Sequence, residues 1–253
     1  MIFLKHGDLW SKYGIPLKRG ILLASEPGMG KTAICKALMA EAENITCITT
    51  STYAIDSDEY LTDLYSLAQD LCPCMVFIED LDFIGQNREK FGYHAGNTLQ
   101  SLLSVMDGLE EYHKIVTIAT TNCLDTLDKA LSQRPSRFDR VLRIERPSDK
   151  ERRMLVKRLC EKIPLDEMSQ NYICRMTDGC TPAQLQEIVF SLAIENPEKL
   201  SQNNLTYSQE TMDHVITTVS NSHKERIGFS LLDGHNNGNG HCPSRGSKYE
   251  SES

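Results

Sequence analysis

The residues best suited to do chemistry in this chain are Lys31 and Thr32, which directly follow Gly28-Met29-Gly30. An ammonium and a hydroxyl placed behind two glycines suit a polyphosphate and its divalent cation. Lys31 would reach the terminal phosphates, and Thr32 would offer its hydroxyl to Mg²⁺. Gly28 and Gly30 let the backbone curl until its N–H groups face an anion. With Glu26, Pro27, Met29 and Ala33 they form a candidate phosphate-binding stretch. It departs from the G-x-x-x-x-G-K-[ST] pattern in two ways: Ser25 replaces the first glycine, and Glu26 brings a carboxylate to a loop meant for anions. A second cluster, Glu79-Asp80-Leu81-Asp82, closes an apolar run about 45 residues downstream. Phosphoryl transfer to water needs one carboxylate for the metal's water shell and another to orient or deprotonate the attacking water.

These groups need elements to position them. Ile21 to Ala24 reads as a buried strand, and Ala33 to Glu43 as a helix whose N-terminus adds its positive dipole end to the loop. Ile45 to Thr50 is β-branched and reads as a second strand. Asp56-Ser57 can cap a helix to about Leu71, with Leu61, Leu64, Tyr65, Leu67 and Ala68 on one face. Cys74 to Ile78 is a buried strand ending in the acids, His94 to Met106 a helix, Ile115 to Thr121 a strand ending at Asn122, and Val141 to Ile144 a last short strand. Strands alternating with helices predict an α/β fold with a parallel sheet covered on both faces. Ligands then bind beyond the carboxyl ends of the strands, where the polar candidates fall. After Pro147 only helices are predicted: Asp149 to Lys162, with Lys150, Arg152, Arg153, Lys157 and Arg158 on a solvated basic side, then Pro182 to Glu195 and Ser208 to Ser222. The chain divides into an α/β domain over 1–147, a helical domain over 148–225, and a Gly/Asn/Ser-rich tail over 226–253 expected to be disordered.

Composition narrows the class. The chain has 253 residues, 40% of them hydrophobic and 25% charged, which suits a globular protein with a real core. No apolar run approaches the roughly 20 residues of a membrane span. The opening Met-Ile-Phe-Leu-Lys-His is too short and too soon charged for a signal peptide. A net charge of −8 argues against nucleic acid as the main partner. Nine scattered cysteines without a C-x-x-C pair fit a reducing cytoplasm rather than a disulfide framework. Cys72-Pro73-Cys74 is read as plain sequence, because no second pair lies near.

Taken together, residues 13–222 resemble the AAA subfamily of AAA+ P-loop ATPases. The resemblance implies a three-layer αβα core with a small all-α lid, using ATP and Mg²⁺. That family's second motif ends Asp-Glu, whereas here the order is reversed, a reversal also seen in a mitochondrial branch of the family. By position Glu79 would serve the metal through water, with Thr32, and Asp80 would activate water. Thr120-Thr121-Asn122 resembles the first sensor, with Asn122 positioning the water. Met106-Asp107-Gly108-Leu109 resembles the inter-subunit signalling stretch. Arg134-Pro-Ser-Arg137-Phe138-Asp139-Arg140 resembles Arg-Pro-Gly-Arg-Phe-Asp-Arg, which makes Arg134 and Arg137 arginine fingers reaching a neighbouring subunit. Gly179-Cys-Thr-Pro-Ala183-Gln-Leu185 matches the lid signature in part. Tyr53-Ala54-Ile55 aligns with the pore-loop triplet, with Ile in place of Gly. Family members also carry upstream a segment completing the adenine pocket and a substrate or adaptor domain, so the sequence reads as N-terminally short. The resemblance implies an ATPase acting as a homo-oligomeric ring, a hexamer, on a protein substrate or adaptor. Two alternatives are a nucleotide-dependent scaffold that does not hydrolyse ATP and a DNA-handling AAA+ protein.

Overall fold

The computed structural model describes residues 7–13, 18–55, 57–81, 102–106, 114–123, 138–195, 197–198 and 205–222. After a short helix α1 (Gly7–Lys12), the chain alternates β1 (Lys18–Ala24), α2 (Lys31–Ala40), β2 (Thr46–Ser51), α3 (Asp58–Asp70), β3 (Cys74–Glu79), β4 (Ile115–Thr121) and β5 (Arg140–Arg143). Residues 102–106 are helical, the described end of the helix predicted from His94. The five strands form one sheet in the order β2-β3-β4-β1-β5, and every pairing is parallel.

Strand periodicity sorts the side chains into two layers. Leu22, Val76, Ile78, Ile115 and Ala119 point to one face, against Leu61, Leu64, Tyr65 and Ala68 of α3 and Leu102, Leu103 and Met106. Leu23, Met75, Phe77, Val116 and Ile118 point to the other, against Cys35 of α2. All seven residues of β4 are buried, and its Ile115, Val116 and Ile118 each contribute about 1.5–3 kcal/mol, which makes β4 the spine of the sheet. The register does the positioning. Ala24 lies opposite both Thr121 and Arg143, and Ser51 opposite Glu79. The loop after β1, the acids after β3 and Asn122 after β4 therefore leave the sheet at one edge.

Beyond Pro147 the described residues form α4 (Asp149–Cys160), α5 (Glu167–Met176), α6 (Pro182–Glu195) and α7 (Gln209–Ser222). They enclose their own apolar cluster, including Val156, Ile173, Leu185, Ile188, Leu192 and Val215. Ser148 and Glu151 cap α4 reciprocally, and Thr181 and Gln184 do the same for α6, with Pro182 at its first turn.

Four expectations change. Leu67 is 50% exposed, because the buried set 61, 64, 65, 68 already fills the 3.6-residue stripe and 67 falls to one side of it. Arg152 is not on a solvated face: it is buried, pairs with Asp178 at 2.9 Å and donates to the Pro147 carbonyl. Helix α5 was not foreseen, since Ser169 and Cys174 help fill its buried face and weaken the apolar stripe. The first long helix is shorter than predicted: α2 ends at Ala40, and Asn44, with φ 58°, turns the chain into β2. The tail 226–253 lies outside the described residues.

Candidate active site

Lys31 is the first residue of α2, and Gly30 is its N-cap at φ 89°. A side chain at Gly30 would meet nothing within 4 Å, so the backbone angle alone calls for glycine there. Gly28 is constrained twice: its φ is 78°, and a Cβ would come 3.1 Å from the Ala183 Cβ and 3.2 Å from Thr181 Oγ1. Lys31 is buried, and an ammonium taken out of water needs acceptors. Its Nζ donates to the Ser25 carbonyl and Oγ at 3.0 Å, the Glu26 carbonyl at 3.2 Å and Asn122 Oδ1 at 2.7 Å. Ser25, in place of the usual glycine, thus becomes a ligand of the lysine.

The acids are held by their backbone. Asp80 adopts φ 59°, and its N–H donates to Thr120 Oγ1 at 3.0 Å while Leu81 N–H donates to the Thr120 carbonyl. Thr52 Oγ1 contacts the carbonyls of Glu79 and Asp80, each at 2.9 Å. Asn122 Nδ2 donates to Asp80 Oδ1 at 3.4 Å. Glu79 continues the alternation of Met75 and Phe77, which face α2, and its charge reaches Cys35 on that helix. Burial first, and then Glu79, pushes the Cys35 thiol up to about 11. Glu79 therefore faces the helix that carries Thr32 in its first turn, whereas Asp80 turns toward Asn122.

A cavity of about 620 Å³ gathers these parts. It is lined by residues 27–34, Asp80 and Asn122 on one side and by Leu155, Arg158, Leu159, Pro182, Ala183 and Gln186 on the other. Its size suits a nucleotide. Pro27, Gly28, Met29, Gly30, Lys31, Thr32, Ala33, Asp80 and Asn122 of the predicted set line it. Glu26 and Glu79 adjoin it without lining it, and Arg134 and Arg137 lie outside the described residues. Their neighbours are anchored: Phe138 is buried, and Asp139 Oδ2 accepts from the Gly20 N–H at 3.1 Å. Tyr53 is 66% exposed on a single 3-10 turn, while Ile55, at the triplet's glycine place, is buried in the core.

Sequence reasoning missed the lid's share of the wall. Ala183 N–H donates to the Gly28 carbonyl at 3.1 Å, and Arg146 meets the Glu26 carboxylate. The acid in an anion loop was a signal that a cation must stand nearby, although spacing alone names no partner.

The family model described as ATPase family associated with various cellular activities (AAA) matches residues 21–146. The chain belongs to the AAA family of ATPases. Among curated relatives, it is 32% identical over 235 residues to the ATP-dependent zinc metalloprotease FtsH of Syntrophotalea carbinolica, covering 85% of this chain and 35% of that protein. It is 34% identical over 239 residues to FtsH 3 of Synechocystis sp., covering 86% and 36%. Against a probable inactive ATP-dependent zinc metalloprotease of Arabidopsis thaliana, FTSHI 2, it is 35% identical over 202 residues, covering 76% and 23%. The chain spans about a third of the length of these AAA relatives or less. Among the described residues no helix is long and apolar enough to cross a membrane, and no group of three His, Cys, Asp or Glu could hold a metal.

Proposed function

We propose that this chain binds ATP with Mg²⁺ in the cavity, hydrolyses it, and works in a homo-oligomeric ring, a hexamer, that remodels or unfolds protein substrates. The observation that carries the reading is the contact line Lys31–Asn122–Asp80, at 2.7 and 3.4 Å, which joins the ends of three strands inside one cavity. Glycine-shaped backbone and the α2 N-terminus hold phosphate oxygens, and Lys31 exchanges acceptors on Ser25 and Asn122 for them. Mg²⁺, when bound, offsets charge on the phosphates; Thr32 and Glu79, both on the α2 side, would hold it. Asn122 orients the attacking water, and Asp80 takes its proton as general base. Arg134 and Arg137 are proposed to complete a neighbour's site, and exposed Tyr53 to touch the protein substrate. Cys35, Cys74, Cys174 and Cys180 are buried, behaving as small core residues, which supports a cytoplasmic location.

The test is the steady-state ATPase rate against protein concentration for wild type, Lys31→Ala, Asp80→Asn and Arg137→Ala. Cooperative turnover lost in all three variants supports shared active sites. One observation favours a second reading, a nucleotide-gated scaffold: Ser25 and Asn122 already satisfy the lysine that must meet phosphate. Nucleotide binding without turnover in the assembled ring would select it.

A further inference from the structure

Arg146 stands between β5 and α4, and three parts of the molecule meet at its guanidinium. Nε donates to Glu26 Oε2 at 3.1 Å, Nη2 donates to the same oxygen, and Nη1 donates to the Gly179 carbonyl at 2.8 Å. Glu26 is two-sided: its carbonyl accepts from Lys31 Nζ at 3.2 Å while its carboxylate faces Arg146. Gly179, at φ 75°, opens the turn whose Thr181 and Ala183 rest against Gly28. The hinge, the phosphate loop and the lid turn are thus tied through one side chain.

The side chains are 52% and 58% exposed, so solvent and salt weaken the pair. A contact of this kind shifts an equilibrium a few-fold rather than locking it, which suits a closure that must open every cycle. We propose that Arg146 is a positioning residue. Through Glu26 and Gly179 it latches the lid turn onto the phosphate loop and slows release of the nucleotide held there. The nucleotide part rests on the ATP reading above. A latch differs from simple charge neutralisation of Glu26. Neutralisation makes Glu26→Gln tighten nucleotide binding and Arg146→Met weaken it, whereas a latch makes both variants release faster.

The test uses the full chain as wild type, Glu26→Gln, Arg146→Met and the double variant. Amide hydrogen exchange over residues 179–185 is read without nucleotide, and release of a fluorescent ADP analogue is read by chase with ADP. Both rates should rise about two- to fivefold in each single variant and rise no further in the double. Unchanged exchange over 179–185 would overturn the latch whatever binds. Opposite shifts in release for the two single variants would overturn it in favour of neutralisation. Failure of wild type to bind the analogue would sink the ATP reading and the release gate together, with exchange still reporting whether the contact closes the lid.

Discussion

At the scale of single residues, Lys31 and Asp80 occupy one cavity but do different work. Lys31→Ala removes the cation that phosphate needs, so titration with a fluorescent ATP analogue should show binding lost. Asp80→Asn keeps size and the contact with Asn122 while removing the base. Binding should persist and turnover should fall about 10²- to 10⁴-fold. Burial sets thiol chemistry in the same way. Cys35 is pushed up to about 11 and so stays a neutral thiol at pH 8, whereas Cys123 is exposed. Timed alkylation followed by peptide mapping should mark Cys123 first among the described cysteines, and Cys35 and Cys74, whose thiol burial pushes up to about 12, last. Much of this site was legible in the sequence, because Gly28, Gly30, Lys31 and Thr32 are contiguous and their chemistry depends on type and order. Arg146 was not legible. Its partner Glu26 is 120 residues away, and only the fold brings them together.

At the scale of elements, α3 reaches the sheet through a buried hydroxyl pair, Tyr65 Oη and Thr117 Oγ1 at 2.9 Å. Tyr65→Phe leaves the Thr117 hydroxyl without that partner in the core and should cost about 1–3 kcal/mol in denaturant unfolding. Adding Thr117→Val should return part of the loss, since removing both partners is cheaper than orphaning one. Thr181→Ala takes away the α6 cap and should lower stability by about 1 kcal/mol by the same measurement. Strand β5 is exposed along its length, whereas strands β3 and β4 and helix α3 were readable because their apolar runs and stripe match their burial. Helix α5 was not, because its buried face includes Ser169 and Cys174, and Arg152 looked solvent-facing until the fold supplied Asp178 and the Pro147 carbonyl.

At the scale of the whole molecule, the helical segment has an apolar cluster separate from those flanking the sheet. Two cores joined through a hinge and a small contact should unfold in two steps. The division proposed near residue 147 can be tested in urea. The single tryptophan, Trp10, lies in α1 on the N-terminal side of that division, and far-ultraviolet dichroism is weighted toward the helices. Without nucleotide the two curves should part. With ATP and Mg²⁺ at about a hundredfold over Kd they should converge and shift by about 2.7 kcal/mol, because the ligand's cavity is walled by both parts. Coincident curves in the free protein would make the chain one cooperative unit.

The left-handed backbone at Asp80 bears on how this site could be engineered. Aspartate and asparagine tolerate φ 59° far better than longer acids do. Asp80→Asn is therefore well suited to a substrate-trapping variant, because the main chain has no reason to move. Exchanging the two acids, Glu79→Asp with Asp80→Glu, would place the longer side chain on the twisted residue. An attempt to restore the commoner acid order would distort the site it was meant to improve.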